Sequence, residues 1–340
     1  MNEHSRIPMS EDHEGPKAEG ESLIERVAGH FDLNSYLTRP VAVPPAPVAK
    51  VPAEPVAEPV QATPVEATPA PAPALGEISP VAEDAGIAFN TPPHFSEVRH
   101  PVDREKLREQ GLIVPEGAVT ALLEEFRIVK RQLLVHAADL RRQKAGGAAQ
   151  RVLVCSPHPG EGKTYCSLNL ALSIAAETES EVLLVDADFA KPSILSALGL
   201  PGGPGLMDAV MNEDADVADF VLGTDIPGLW VLPAGDASSH DSEYISSSRT
   251  ARVLDRLTEH APHRIVIFDS SPVLAASTAP ELAKYVGQTM IVVRADSTGQ
   301  GALEDAISLL SACPNIQLLL NAAQFSPSGR KFGTYYGYTG

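Results

Sequence analysis

The sequence has few cysteines, little positive charge and no long apolar run. Cys155, Cys166 and Cys313 are too scattered for a disulfide framework or a zinc site, so we expect packed thiols in a reducing compartment. The net charge of −18, from 26 Lys and Arg against 44 Asp and Glu, argues against a nucleic-acid partner. No stretch approaches the ~18 apolar residues of a membrane span, and the N-terminus lacks an apolar signal segment. We therefore expect any membrane role to depend on a partner.

Composition divides the chain into five parts. Residues 1–39 form an N-terminal extension in which a short amphipathic helix is predicted near 22–28. Residues 40–84 contain 12 of the 30 prolines, mixed with Ala, Val and Glu, which predicts a semi-stiff polyproline linker. A connecting segment, 85–117, leads to one folded domain at 118–330 and a Tyr-rich tail at 331–340.

A long helix is predicted at the start of that domain, at 118–143. Apolar residues from Val119 to Leu140 recur at steps of three and four, with charged residues on the opposite face. Two interpretations stay open: the helix covers one face of a core, or it carries a surface for self-association.

Short apolar runs then alternate with helical stretches. Connections long enough for crossover helices separate the runs, which predicts an α/β fold with a doubly wound, mainly parallel sheet. Ligands of such sheets bind at the carboxyl ends of the strands, so polar residues that end these runs are the candidate site. The six runs are 151–154, 181–185, 229–232, 264–268, 290–293 and 316–320.

The first run leads into a Gly-rich loop followed by a helical stretch. Backbone N–H groups of such a loop converge on phosphates at a helix N-terminus, Lys163 adds a positive charge, and the Thr164 hydroxyl can bind Mg²⁺. The pattern predicts ATP and Mg²⁺ as ligands. The candidate nucleotide-binding residues are Pro159, Gly160, Glu161, Gly162, Lys163, Thr164 and Tyr165.

Acidic residues end two further runs. Asp186 and Asp188 follow the second run, and strand alternation places both on one side. Asp269 follows four apolar residues, a pattern typical of a carboxylate that holds a magnesium-bound water. With Thr164, these three carboxylates are the candidate metal ligands, and with Lys163 they are the candidate catalytic residues.

Together these segments resemble the Walker A, A′ and B motifs of bacterial tyrosine autokinases. The resemblance rests on 159–164, on 185–188 with Lys191 and Pro192, and on 267–272, and it covers roughly 118–340. It implies a P-loop fold and a protein-tyrosine kinase that phosphorylates itself. Ala190 departs from the Arg usual in the family, and Lys191 is the candidate to compensate.

The resemblance also implies roles for residues outside the loop. Asp186 is the candidate base for the tyrosine hydroxyl, with Asp188 assisting at the metal, and Asn321 and Arg294 are candidates for the adenine side. A Glu-x-x-Arg-x-x-Arg motif assembles rings in the family. Its place is taken here by Glu124, Arg127 and Lys130, and the candidate phosphoacceptors are Tyr335, Tyr336 and Tyr338.

The family implies a homo-oligomer, with a ring as its form, and a cytoplasmic protein that a membrane chain-length-determinant (polysaccharide co-polymerase) protein activates and recruits. The N-terminal extension and Pro-rich linker are most similar to the branch associated with exosortase-linked exopolysaccharide loci. Two alternatives stay open: a ParA- or MinD-like switch ATPase, and a nucleotide-binding scaffold. His158, which stands where switch ATPases carry a signature Lys, and the terminal tyrosines favour the kinase.

Overall fold

The structure is a computed structural model that describes residues 93–177, 180–236 and 240–323. The predicted helix near 22–28, the proline-rich linker and the tyrosine tail lie outside these ranges. Within them, no helix is long and apolar enough to cross a bilayer.

Eight strands form one sheet in the order β1-β4-β5-β3-β6-β2-β7-β8. Neighbouring strands are parallel except for the antiparallel pair β4 and β5. The six predicted strands are confirmed, whereas β1 and β4 were missed because two or three residues are too few to show a pattern. The strands are β1 Arg99–His100, β2 Arg151–Cys155, β3 Glu181–Ala187, β4 Leu222–Thr224, β5 Leu229–Leu232, β6 Arg264–Ser270, β7 Gln288–Arg294 and β8 Ile316–Asn321.

Nine α-helices connect or flank these strands in the described residues. The predicted long helix is α2, which begins after Thr120, whose side chain accepts a hydrogen bond from the Leu123 N–H at 3.2 Å. The helices are α1 Arg104–Glu109, α2 Ala121–Arg142, α3 Lys163–Ala175, α4 Ile194–Leu198, α5 Leu206–Met211, α6 Asp241–Ile245, α7 Ser248–Thr258, α8 Thr278–Leu282 and α9 Gln300–Leu309.

Two apolar clusters cover the two faces of the sheet. Successive residues of the central strands alternate between them: Leu183 and Val185 belong to the cluster with α7 and α8, and Val182 and Leu184 to the cluster with α2 and α3. Both faces are covered, which explains why the strands read as continuous apolar runs. The predicted packed thiols are confirmed, since all three cysteines are free and buried.

The central strands β2, β6 and β3 lie side by side and end at the same edge. In their register, Asp269 lies opposite both Val154 and Asp186. The loop that follows β2 therefore emerges beside the two acidic strand ends, as the sequence predicts.

Candidate active site

The loop between β2 and α3 turns sharply at two glycines. Gly160 and Gly162 have φ angles of 80° and 96°, in the left-handed region where side chains are strained. A Cβ on Gly162 would also lie 2.1 Å from Asn321 Nδ2. Gly162 caps α3 without a side-chain hydrogen bond, so the first N–H groups of this helix are open to a ligand.

Side chains at the ends of β7 and β8 form hydrogen bonds with this loop. Asn321, at the end of β8, donates to the Glu161 carbonyl at 2.9 Å, and Arg294, at the end of β7, donates to the Gly160 carbonyl at 3.1 Å. The buried Glu161 carboxylate accepts from the His158 N–H at 2.8 Å and from the Thr298 hydroxyl. These hydrogen bonds fix the position of the loop backbone relative to the ends of β7 and β8. The adenine-side roles of Asn321 and Arg294 stay predictions.

Lys163, the first residue of α3, and Asp188, directly after β3, form an ion pair. Lys163 Nζ lies 2.7 Å from Asp188 Oδ2, and both side chains are largely buried. Asp188 Oδ1 also accepts from the Lys191 N–H at 3.3 Å, whereas the Lys191 side chain and neighbouring Ala190 are exposed. The pair therefore positions Lys163 at the edge where the phosphates of a nucleotide would lie.

Asp186 turns its carboxylate towards the backbone that follows β3. Its Oδ2 accepts from the Ser193 and Ile194 N–H groups at 2.9 and 3.0 Å, and its Oδ1 accepts from the Asp188 N–H at 3.3 Å. Burial raises the pKa of Asp186 despite these three hydrogen bonds, which favour the charged form. The carboxylate shapes the loop between β3 and α4, and its Oδ1 has the weaker hydrogen bond.

Asp269 is fully buried between the loop and β3. Its Oδ1 accepts from the Ser167 hydroxyl at 3.0 Å, while its Oδ2 has no hydrogen-bond partner among the described residues. Burial raises the pKa of Asp269 to about 7, although the Lys163 ammonium acts in the opposite direction. A buried carboxylate oxygen without a donor fits a cation or a cation-bound water.

The oxygen atoms available here suit Mg²⁺ better than a metal ion that is coordinated by protein side chains alone. No group of three or more His, Cys, Asp or Glu side chains converges on a metal position in the described part of the chain. Mg²⁺ commonly takes only one or two carboxylates from the protein, and phosphates and water complete its shell. Thr164, at the start of α3, and Asp269 are the residues placed for that arrangement, with Asp188 beside Lys163.

Comparison with known proteins shows what this chain is similar to. No protein-family model matches the chain. The tyrosine-protein kinase ptk of Acinetobacter johnsonii is 30% identical over 153 residues, 45% of this chain and 20% of that protein. The tyrosine-protein kinase YwqD of Bacillus subtilis is 27% identical over 219 residues, 64% of this chain and 86% of that protein. The chain is thus similar in sequence to bacterial proteins that are named tyrosine-protein kinases.

The share of each relative that the chain matches varies widely. The chain spans only 20% and 26% of the first two curated relatives that it matches. Among solved structures, the chimerical protein CapA2B2 is 24% identical with a TM-score of 0.49, over 64% of this chain and 98% of that one. The BceF tyrosine kinase domain is 25% identical with a TM-score of 0.49, over 58% and 76%.

The three residues in the place of the family's assembly motif lie on α2, but they do not share one surface. Glu124 and Arg127 pair with each other on the solvent side. Lys130 is buried, donating to the Ser173 carbonyl at 2.9 Å and lying 2.8 Å from Glu177. The prediction that Lys130 serves an assembly surface is therefore wrong: its ammonium holds the C-terminal end of α3 inside the same chain.

Several residues of the site escaped sequence analysis. Ser167 lies one turn after Thr164, so helical spacing could have predicted that it faces Asp269. Thr298 carries no such signal, because it comes from the segment after β7 and meets Glu161 only in the folded sheet. The three terminal tyrosines lie outside the described residues.

Proposed function

We propose that this chain is an ATP-dependent protein-tyrosine kinase that phosphorylates its own C-terminal tyrosines. One observation supports this most: a lysine, a hydroxyl and a buried carboxylate oxygen without a donor surround the open N-terminus of α3. Phosphoryl transfer depends on such positioning and charge neutralisation more than on covalent participation by the enzyme.

In the proposed reaction, the phenolic oxygen forms a bond to the γ-phosphorus as the bond to the β,γ-bridging oxygen breaks, and ADP leaves. Lys163 turns from Asp188 to the phosphate oxygens and stabilises their charge. Thr164 and Asp269 would hold Mg²⁺. Bound Mg²⁺ would supply further neutralisation of the phosphates.

The phenolic proton needs a carboxylate acceptor, because a phenol with a pKa near 10 is hardly ionised at neutral pH. We assign this role to Asp186, through the oxygen that has only one long hydrogen bond. Asp188, released from Lys163, would assist at the metal. The three carboxylates thus divide between proton acceptance and metal binding.

The proposed acceptors are Tyr335, Tyr336 and Tyr338. Tail length alone does not decide whether they react within one chain or between chains. Tyr335 lies 14 residues beyond Asn321, an extended reach of about 46–50 Å at about 3.3–3.6 Å per residue. The strand β8 lies four strand spacings from β3, or about 19 Å. We propose transfer between subunits of an oligomer, which mixing experiments can test.

The deciding experiment is incubation of purified protein with Mg-ATP, followed by mapping of phosphotyrosine by mass spectrometry. We expect phosphate on the tail tyrosines. A Lys163→Met subunit mixed with an active subunit that lacks the tail should then be phosphorylated on its own tail. ATP hydrolysis without any phosphotyrosine would instead support a switch ATPase, and phosphorylation that never crosses between subunits would refute the trans reaction.

We further propose that the half-buried Glu124 and the exposed Arg127 contribute to assembly of the oligomer as a ring. Each phosphate adds about −1.5 to −2 charges to an acidic subunit, so phosphorylation should loosen the assembly. Light scattering should show a smaller mass after Mg-ATP treatment, and no change in a variant with Phe at all three tail positions. A mass independent of phosphorylation would contradict this proposal.

For the cellular role, we propose control of exopolysaccharide synthesis or export. A relative from Klebsiella pneumoniae, 25% identical over 191 residues, is named for the cps region. A membrane polysaccharide co-polymerase would recruit the kinase to the inner face of the cell membrane and activate it. Recovery of the kinase with the membrane fraction of the source cell, lost when that partner is deleted, tests the recruitment, and membrane recovery that survives the deletion would contradict it.

A further inference from the structure

A segment that precedes α2 packs against the helix after the phosphate loop and the helix after β3. This segment, residues 102–114, is called the strap here and includes α1. Leu107, Leu112 and Ile113 of the strap are buried, and they belong to the same apolar cluster as residues of α3 and α4. The strap therefore contacts both helices that adjoin the candidate site.

Asn169 joins the strap to the middle of α3. Its side chain is fully buried, its Oδ1 accepts from the Ile113 N–H at 2.8 Å, and its Nδ2 donates to the Tyr165 carbonyl at 3.0 Å. Asparagine is a poor helix former, and burial of its amide costs free energy unless the amide is hydrogen-bonded. The backbone of the strap, which has an N–H to satisfy, explains an asparagine at this position.

Tyr165 joins the strap to the first turn of α3. The sequence predicts Tyr165 as a nucleotide-binding residue, and in the structure its hydroxyl donates to the Gly111 carbonyl of the strap at 2.9 Å. Tyr165 comes directly after Lys163 and Thr164. A contact that holds its side chain therefore also holds the helical turn that carries the lysine and the hydroxyl of the candidate site.

The strap is joined to α4 as well. The Asp103 N–H donates at 2.9 Å to the carbonyl of Leu198, the last residue of α4. At its other end, α4 begins with Ile194, whose N–H donates to Asp186 Oδ2 at 3.0 Å. The strap thus connects the helix that begins at Lys163 with the helix that binds the Asp186 carboxylate.

Side chains do not fill the space between α3 and α4. A cavity of about 290 Å³ lies between these helices and the strap, and its wall includes Leu168 of α3, Ala197 of α4 and Leu112 of the strap. A gap of this kind deprives the side chains around it of part of their packing contacts. The hydrogen bonds of the strap bridge the gap and fix the separation of the two helices.

We propose that Tyr165 and Asn169 are positioning residues, which act through the strap to set the distance of Lys163 and Thr164 from Asp186. The inference rests on the proposed kinase function. Phosphoryl transfer depends on the placement of the reacting groups, and a displacement of about 1 Å can slow a reaction by about 10²-fold. Nucleotide affinity depends mainly on the phosphate loop and the N-terminus of α3, so it should change much less.

The variant Tyr165→Phe, made in the full chain, removes a single hydroxyl and keeps the ring, so the protein should fold. Tyr285→Phe is the matched control. Its hydroxyl also donates to a backbone carbonyl, that of Ile245 at 3.4 Å, and its ring packs against the apolar cluster on the opposite face of the sheet. The measurements are kcat for phosphotyrosine formation with Mg-ATP, the affinity for a fluorescent ATP analogue, and amide hydrogen exchange of the strap.

We expect kcat to fall about tenfold in Tyr165→Phe, with a change of less than about twofold in nucleotide affinity and faster exchange of residues 110–114. The control should match the unmodified protein in all three measurements. Asn169→Leu, which leaves the Ile113 N–H without its acceptor, should reduce kcat further per folded molecule. Circular dichroism gives the folded fraction to which each rate is referred.

Two results would overturn the inference. An unchanged kcat in Tyr165→Phe means that the contact with the strap does not position the catalytic groups. A loss of nucleotide affinity in proportion to the loss of rate means that Tyr165 belongs to the nucleotide site. If the unmodified protein hydrolyses ATP but forms no phosphotyrosine, the kinase function fails, and kcat for hydrolysis then tests the positioning role in the same variants.

Discussion

A lysine lies at each end of α3: Lys130 at the C-terminal end and Lys163 at the N-terminal end. The two ends differ in whether the polar groups around the lysine have hydrogen-bond partners within the chain. At the C-terminal end, Lys130 donates to the Ser173 carbonyl and pairs with Glu177, so a carbonyl in the last turn is satisfied within the chain. At the N-terminal end, no side chain among the described residues caps the helix, and none of them donates a hydrogen bond to Asp269 Oδ2. The C-terminal end, where the polar groups are paired, stabilises the fold. The N-terminal end, where N–H groups and a carboxylate oxygen are unpaired, is available for a ligand.

The strongest test of this comparison is Lys163→Met at the open end. We expect phosphotyrosine formation to fall by ~10²–10³ or more, because the lost ammonium stabilises charge that develops during transfer. Stability should fall by no more than about 1–3 kcal/mol, through the unpaired Asp188. Circular dichroism and a phosphotyrosine assay measure the two effects, and unchanged activity in a folded variant would falsify the phosphate-loop assignment.

Asp269→Asn should separate function from stability. Removal of the charge should lower Mg²⁺-dependent activity by ~10²-fold, while the isosteric amide still accepts from Ser167. Because burial disfavours the charged carboxyl, the Tm should rise by about 2–4 °C. The exposed Asp219→Asn is the control for calorimetry and Mg²⁺ titration. A lower Tm would mean that the carboxylate is mainly structural.

Asp186→Asn should reduce transfer to tyrosine more than nucleotide binding, because an amide cannot accept the proton. The amide nitrogen also replaces an acceptor of backbone N–H groups, so we expect a stability loss of about 1 kcal/mol. Nucleotide titration beside an autophosphorylation assay distinguishes the effects. If transfer falls only in proportion to binding, Asp186 shapes the loop and the base is another residue.

Lys130→Met, at the closed end, should give the smallest change in activity. We expect a stability loss of about 1–3 kcal/mol, because the Ser173 carbonyl loses its donor, and unchanged turnover per folded molecule. Its exposed neighbour provides the control variant Arg131→Met, which should have neither effect. A lower turnover for Lys130→Met at temperatures where it is fully folded would show that the two ends of α3 are coupled.

Sequence patterns predicted the sheet and the residues at its carboxyl edge, because the apolar runs are long and the loop motif depends on local spacing. They failed for Lys130, since the same step of three that places it after Arg127 also allows it to face inwards. Only packing against α3 decides between the two. Local sequence patterns also could not predict the contacts of Asn321 and Arg294 with the loop, because these contacts join segments separated by 160 and 134 residues.

Those contacts have a consequence for biosynthesis. The phosphate loop comes early in the sequence of the folded domain. Two of its backbone carbonyls, however, accept hydrogen bonds from Arg294 and Asn321, at the ends of the last two strands. A nascent chain therefore lacks a complete nucleotide site until Asn321 has left the ribosome and β8 has joined the sheet. Since the tyrosines follow within 20 residues, the catalytic site and its proposed substrate become ready almost together. If the chain acts as the proposed kinase, this order leaves little opportunity for phosphoryl transfer before the tail that would receive the phosphate has been made.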